Sequence, residues 1–210
     1  MEPPLADSPS LAIDGRGIGW ITFDDPDRAT NVLTEGVMRR LARVLEEVRG
    51  AAREGDVRVV VVRSGKEGSF ITGADVDDIA GIEDPDEGER KVRLGQAVFM
   101  DVETLPVPTV AAVHGTCLGG GAELALACTH RLLSDAPETE VRFPEVQLGI
   151  LPAWGGTTRL PRLVGLRDAL PLLLQGKALR PQKARRIGFA GEVLPAAIFE
   201  EEVADFAREA

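Results

Sequence analysis

Along this chain, short and nearly unbroken apolar runs alternate with longer segments whose apolar residues return every three or four positions. VRVVVVRS (57–64), TVAAVHG (109–115) and RLLSDA (131–136) are of the first kind. All three predict strands; the near-continuous β-branched run of the first predicts burial on both faces, as in a parallel sheet, and the second reads as a further buried strand. Val37, Met38, Leu41, Val44, Leu45 and Val48 are of the second kind and predict a helix, with Thr34 as its N-cap and Gly50 and Gly55 breaking it. KVRLGQAVFMDVETL (91–105) reads as another amphipathic helix, stopped by Pro106 and Pro108. GAELALACTHR (121–131) follows the second buried strand as a helix that carries His130 near its end. Helices are also predicted at 167–175, 181–187 and 199–210.

LAIDGRGIGWITF (11–23) reads as two strands joined at Asp14-Gly15, a tight-hairpin dipeptide. GKEGSFITGADVDDIAG (65–81) is a glycine-punctuated loop running into a short helix, and GIEDPDEGE (81–89) an acidic, exposed and mobile connection. Strands alternating with helices imply an α/β sheet with crossover connections.

With 210 residues and 44% hydrophobic content, the chain can bury one substantial core. A net charge of −10 argues against nucleic acid and anionic membranes as partners. The two cysteines, Cys117 and Cys128, match no metal or disulfide spacing and suggest a reducing compartment. MEPPLADSPS is unlike a signal peptide, and no apolar run approaches a membrane span, so a cytoplasmic protein is expected. His114 and His130 lack companion ligands, and no metal site is expected.

The chemistry concentrates in HGTCLGGGAEL (114–124) and FPEVQLGILPAWGG (143–156). Gly119, Gly120 and Gly121 let a ligand approach backbone amides at a helix N-terminus, a place that favours a developing oxyanion. SFITGADVDD (69–78) offers a second glycine turn after its own strand, and paired donors are what an oxyanion hole needs. Nucleotide fingerprints fail: Leu124 stands where G-x-G-x-x-G needs its third glycine, and Glu67 follows Gly65-Lys66 where a phosphate loop needs Ser or Thr. Taken singly, each turn reads more readily as a connector than as a site. Glu123 then only complements a helix dipole, and Glu145 is a loop carboxylate.

As a set, FITGAD (70–75), AAVHGTCLGGGAELALAC (111–128), FPEVQLGILP (143–152) and WGGTTRLPRLVG (154–165) resemble the crotonase (enoyl-CoA hydratase/isomerase) superfamily. ITFDDPDRATNVLT (21–34) and KALRPQKARRIGFAGEVLP (177–195) extend the resemblance over nearly the whole chain. More narrowly, the stretch from Thr129 to Pro152 is similar to the hydratase domain of multifunctional fatty-acid-oxidation α-subunits, which carry a dehydrogenase domain further along.

The resemblance implies an α/β fold of the crotonase (ClpP-like) type, a β-β-α spiral. Residues 1–195 would form its core. Residues 196–210 would begin a C-terminal helical region that this chain otherwise lacks, leaving an apolar patch exposed near the C-terminus. It also implies an oxyanion hole from the amides of Ala74 and Gly120. Glu123 would be the base on the attacking water, and Glu145 the acid that protonates Cα of an enoyl-CoA. Arg28, Thr72, Asp75 and Trp154 become substrate-binding candidates, with Lys66 a further one for the CoA phosphates. No cofactor is implied, because coenzyme A is part of the acyl-CoA substrate. Partners would be further copies of the chain, or thiolase and dehydrogenase in a β-oxidation complex.

Members that only isomerise or hydrolyse often lack one glutamate, so hydration is favoured. Isomerase, hydrolase and non-catalytic CoA-binding readings stay open. Arg142 replaces the glycine common before x-P-E and could face Glu145. Trp154 could wall the acyl pocket or fill the core.

Overall fold

The computed structural model describes residues 8–210; the first seven, part of the segment read as unlike a signal peptide, lie outside the described residues. The chain opens with an antiparallel hairpin of β1 (Ser10–Ile13) and β2 (Ile18–Phe23). Its turn is held by Asp14, whose carboxylate accepts from the amides of Arg16 (2.8 Å) and Ile18 (3.1 Å). Helix α1 (Glu35–Glu54) starts where the Thr34 hydroxyl accepts from the Val37 amide at 3.3 Å, and it ends at Gly55, whose φ is 84°. Gly50 does not break it. A single glycine costs a helix about 1 kcal/mol, which the buried stripe from Val37 to Val48 outweighs.

Three β-β-α windings follow. The first is β3 (Val59–Ser64) and β4 (Ser69–Ile71) with α2 (Val76–Ala80) and α3 (Pro85–Glu103). The second is β5 (Thr109–Val113), β6 (Thr116–Leu118) and α4 (Gly120–Ala127). The third is β7 (His130–Ser134), β8 (Glu140–Arg142), a 3-10 turn at Pro144–Leu148 and α5 (Gly156–Val164). The chain continues through α6 (Leu166–Gln175), α7 (Pro181–Arg186), β9 (Glu192–Leu194) and α8 (Phe199–Glu209). The first strand of each winding joins a six-stranded sheet, ordered β1-β2-β3-β5-β7-β9 and parallel beyond its first pair. The second strands stack as a parallel sheet β4-β6-β8. This is the expected spiral.

Period two sorts the large sheet into two buried faces. Val60 and Val62 join the main core beneath α1, α3 and α4, while Val59 and Val61 face Phe199, Val203 and Ala207 of α8. The apolar face of α8 is therefore covered. An exposed leucine stripe lies instead on α5 and α6, at Leu163, Leu166, Leu170 and Leu174.

Two further expectations are corrected. The acidic stretch 81–89 is no mobile loop throughout: Asp84 caps α3, accepting from the Asp86 amide at 3.0 Å, and Pro85 opens the helix, where its missing N–H costs nothing. His130 does not end a helix; it is the first residue of β7, because α4 closes at Ala127.

Candidate active site

Parallel pairing of β4 with β6 brings Ser69 opposite Thr116 and Ile71 opposite Cys117, so the turns after these strands leave side by side. Gly73, at φ 94°, makes the approach feasible: a Cβ there would lie 3.0 Å from the Leu118 carbonyl oxygen and 3.2 Å from the Gly120 nitrogen. Ala74 is fixed by a bridge to Leu33, whose amide donates to the Gly73 oxygen at 2.8 Å. Gly120 is the first residue of α4, so its amide has no acceptor within the helix. Ala74 and Gly120 line one cavity of about 570 Å³ together with Thr72, Asp75, Glu123, Glu145 and Trp154. A loop residue bridged to Leu33 and the first residue of a helix, lining one cavity, can offer backbone amides to an oxygen on which negative charge develops.

Glu123 and Glu145 are only 2% and 7% exposed. Burial, with Glu145 nearby, pushes the Glu123 carboxyl up to about 7, against the pull of the Gly156 and Trp154 amides and of Arg159. Burial also raises Glu145. Two adjacent buried carboxylates do not both ionise cheaply, so the pair shares a proton near neutral pH. Hydrogen bonding distinguishes the two carboxyls. Glu123 Oε1 accepts from the amides of Trp154 (2.9 Å) and Gly156 (2.8 Å), partners that suit a carboxylate. Among the described residues Glu145 Oε2 is buried without a partner, the condition under which a carboxyl stays neutral. We therefore assign the proton to Glu145.

Arg142 does not face Glu145. Its Nε and Nη2 lie 2.8 and 3.1 Å from the Glu140 carboxylate, which Arg180 also meets at 3.3 Å. Trp154 both borders the cavity and packs against the core. It lines the cavity, packs edge-on against buried Phe99 (centroids 5.6 Å apart, 86° between planes), and stacks over Gly95 and Gly120, where a Cβ would collide with the indole.

Arg28 and Asp75 are joined to each other at 3.0 Å, and Asp75 also caps α2. Asp75 and Thr72 line the cavity, with the Thr72 hydroxyl 3.2 Å from that of Thr30; Arg28 stands outside the lining. Lys66 is taken up by Asp24 at 2.8 Å and by the Asp25 carbonyl, away from the cavity. His114 Nε2 lies 2.6 Å from the Lys66 carbonyl oxygen, and His130 packs edge-on against Phe206.

Sequence reasoning missed the apolar lining from Ile79, Ile82, Val92 and Leu94, and the cationic Lys91 beside it. Ile79 lies on α2, Ile82 in the turn after it, and Lys91, Val92 and Leu94 on α3, a grouping legible only once the fold brings these elements to one cavity. Arg159 was missed as well. It lies within the WGGTTRLPRLVG segment but was given no role, because its partners Glu103 and the Trp154 carbonyl oxygen become visible only in the fold.

The enoyl-CoA hydratase/isomerase family model matches residues 14–210. Fatty acid oxidation complex subunit alpha of Aliivibrio fischeri is 43% identical over 194 residues, 92% of this chain and 28% of the relative. That of Shewanella frigidimarina is 40% identical over 199 residues, 95% of this chain and 28% of the relative. The chain thus spans just over a quarter of the length of these curated relatives. Among solved structures, an enoyl-CoA hydratase from Bacillus anthracis superposes with a TM-score of 0.85 at 30% identity, over 95% of this chain and 75% of that one. An enoyl-CoA hydratase from Geobacillus kaustophilus HTA426 gives 0.87 at 29% identity, over 93% and 72%. With a family model matched along nearly its whole length and the β-β-α spiral in place, the chain belongs to the enoyl-CoA hydratase/isomerase family.

Proposed function

We propose that this chain adds water to 2-trans-enoyl-CoA thioesters, giving 3-hydroxyacyl-CoA within fatty acid β-oxidation. One observation carries the reading: two buried glutamates of unlike hydrogen bonding meet in the cavity that the Ala74 and Gly120 turns line. The thioester oxygen would take the amides of Ala74 and Gly120. Glu123 removes a proton from water as its oxygen bonds to Cβ, the π electrons move toward the thioester oxygen, and Glu145 delivers its proton to Cα. Both protons are accounted for, and the pair returns to its starting state by exchange with solvent. Delivery of both groups from one face makes the addition syn. Asp75 and Thr72 border the thioester end, and Arg28, bridged to Asp75 just outside the lining, is one candidate cation for a CoA phosphate, with Lys91 in the lining another. In the cell we expect the chain in the cytoplasm, working beside thiolase and dehydrogenase activities.

The test is loss of the enoyl-thioester absorbance with crotonyl-CoA and longer enoyl-CoAs, with products identified. Formation of 3-hydroxyacyl-CoA is expected. Acyl-CoA binding without turnover would replace the reading by a binding module, and 3-enoyl-CoA or free acid as product by an isomerase or hydrolase.

Trp154 should set acyl preference. Its indole fills cavity space over Gly120, next to the apolar lining from α2 and α3. Trp154→Phe keeps an aromatic ring for Phe99 while opening that space. The ratio of kcat/KM for a ten-carbon over a four-carbon enoyl-CoA is expected to rise on the order of tenfold. An unchanged ratio would leave Trp154 a packing residue only.

A further inference from the structure

The two amides that hold Glu123 belong to a short turn that is itself held from outside the cavity. Peptide planarity links the two sides. The Trp154 N–H that donates to Glu123 shares its peptide with the Ala153 carbonyl, and that carbonyl accepts from the Gln96 side chain of α3 at 2.8 Å. The Gly156 N–H shares its peptide with the Gly155 carbonyl, which accepts from the amides of Thr158 (3.0 Å) and Arg159 (2.7 Å) as α5 begins. The peptide between them presents the Trp154 carbonyl to Arg159 Nη1 at 2.9 Å. The same guanidinium forks onto Glu103 at the end of α3, with Nε and Nη2 at 3.0 and 2.7 Å from Oε2. Arg159 is largely buried, with a side chain 14% exposed, so its geometry and charge are poorly screened. Gly155 is required where the guanidinium crosses the turn, since its φ is 122° and a Cβ there would overlap Nη1.

We propose that Arg159, anchored by Glu103, is a positioning residue that keeps the 153–156 turn aimed at Glu123 and supplies the positive charge behind that carboxylate. The inference rests on the reading of Glu123 as the base. The charged groups that act on Glu123 are Glu145 from the 3-10 turn and Arg159 from α5; α3 contributes Glu103 through its pair with Arg159. Glu145 works against ionisation of Glu123 and Arg159 works for it. Gln96 serves the same turn without charge, which separates the two effects.

The experiment compares wild type with Arg159→Gln, Arg159→Lys, Glu103→Gln and Gln96→Ala, all as the full chain. Each is measured in two ways: kcat and KM for crotonyl-CoA against pH, and titration of the Glu123 carboxyl by isotope-edited infrared spectroscopy, which needs no turnover. For Arg159→Gln we expect kcat at neutral pH to fall about tenfold or more, KM to stay within about threefold, and both the acid limb and the carboxyl titration to move up by about one pH unit. Arg159→Lys should restore the titration but only part of kcat, because an ammonium cannot fork. Gln96→Ala should lower kcat with the limb in place. Glu103→Gln, at a half-exposed site that tolerates the change, should lower kcat about threefold or more, and it keeps the test open if Arg159→Gln does not fold.

An unmoved titration in folded Arg159→Gln, or unchanged kcat in Glu103→Gln, overturns the proposal. If wild type hydrates no enoyl-CoA yet the Glu123 titration still moves with Arg159, the positioning role stands and the hydratase reading falls.

Discussion

Glu123→Gln is expected to lower kcat for hydration of crotonyl-CoA by about 10²- to 10⁴-fold, with KM changed no more than a few-fold. The amide keeps the shape of the side chain, and its oxygen can still accept from Trp154 and Gly156 at the present 2.9 and 2.8 Å. It cannot take a proton from water. Glu145→Gln should cost a similar factor for the complementary reason, since the only hydrogens it offers Cα are amide ones. In wild type the rate should rise as Glu123 ionises through about pH 7 and fall again when Glu145 gives up its proton, a bell whose limbs belong to the pair. Steady-state kinetics of the two variants beside acyl-CoA binding by calorimetry decides the matter. Full turnover in both would remove the acid–base assignment.

The same substitution carries a stability consequence of opposite sign. The Glu123 carboxyl has a value of 4.5 when unfolded and about 7 when folded, so between these pH values the folded state binds more protons. Stability contributed by the protonated group is complete below pH 4.5, falls as pH rises through 7, and is flat above it. The loss is on the order of 1–3 kcal/mol, with the two amide donors already counted in the folded value. Glu123→Gln removes the titration. The variant should be more stable than wild type at pH 8 by denaturant unfolding, and the gap should shrink toward pH 5. A carboxyl that destabilises its own fold is the compromise between activity and stability expected of the base proposed here.

How much of this was legible in the sequence depends on the length of each signal. The stripe from Val37 to Val48 spans more than three turns, and a period that long survives an internal glycine. The β-branched runs of β3 and β5 are equally plain. By contrast β4, β6, β8 and β9 are three residues each, too short for any period to show, and they exist because parallel neighbours hold them. The site divides in the same way. Glycine turns followed by a helix point to Gly120 and Glu123 on local grounds. Glu145 follows a proline in a 3-10 turn and is distinguished only by family resemblance. The Arg159–Glu103 fork joins residues 56 apart and leaves no local trace. Arg142 shows the limit from the other side: its position suggested a threat to Glu145, whereas pairing with Glu140, two residues away on the same strand, removes it.

Two glycines in helices should respond oppositely to alanine, and the difference is the sharpest stability test of the site's construction. Ala is preferred over Gly within a helix by about 1 kcal/mol, so propensity alone favours both Gly50→Ala and Gly121→Ala. At Gly50, within α1, a Cβ would meet nothing within 4 Å, and the full gain of about 0.5–1 kcal/mol is expected. At Gly121, in the first turn of α4, a Cβ would overlap the Ile71 carbonyl oxygen and lie 2.9 Å from Ile71 Cβ. The obstacle is the backbone of β4, paired to β6, and it has no rotamer by which to yield. Accommodation requires α4 and β4 to separate, at a cost of about 3 kcal/mol or more, which outweighs propensity several-fold. Because β4 leads into Ala74 and α4 begins at Gly120, the separation would also part the two amides proposed to hold the thioester oxygen. Gly121→Ala should therefore lose most of its stability and its turnover together, measured by urea unfolding and enoyl-CoA hydration on the same preparation. A stable Gly121→Ala protein with full activity would mean that contact between the β4 strand and the α4 helix is not what spaces the two amides.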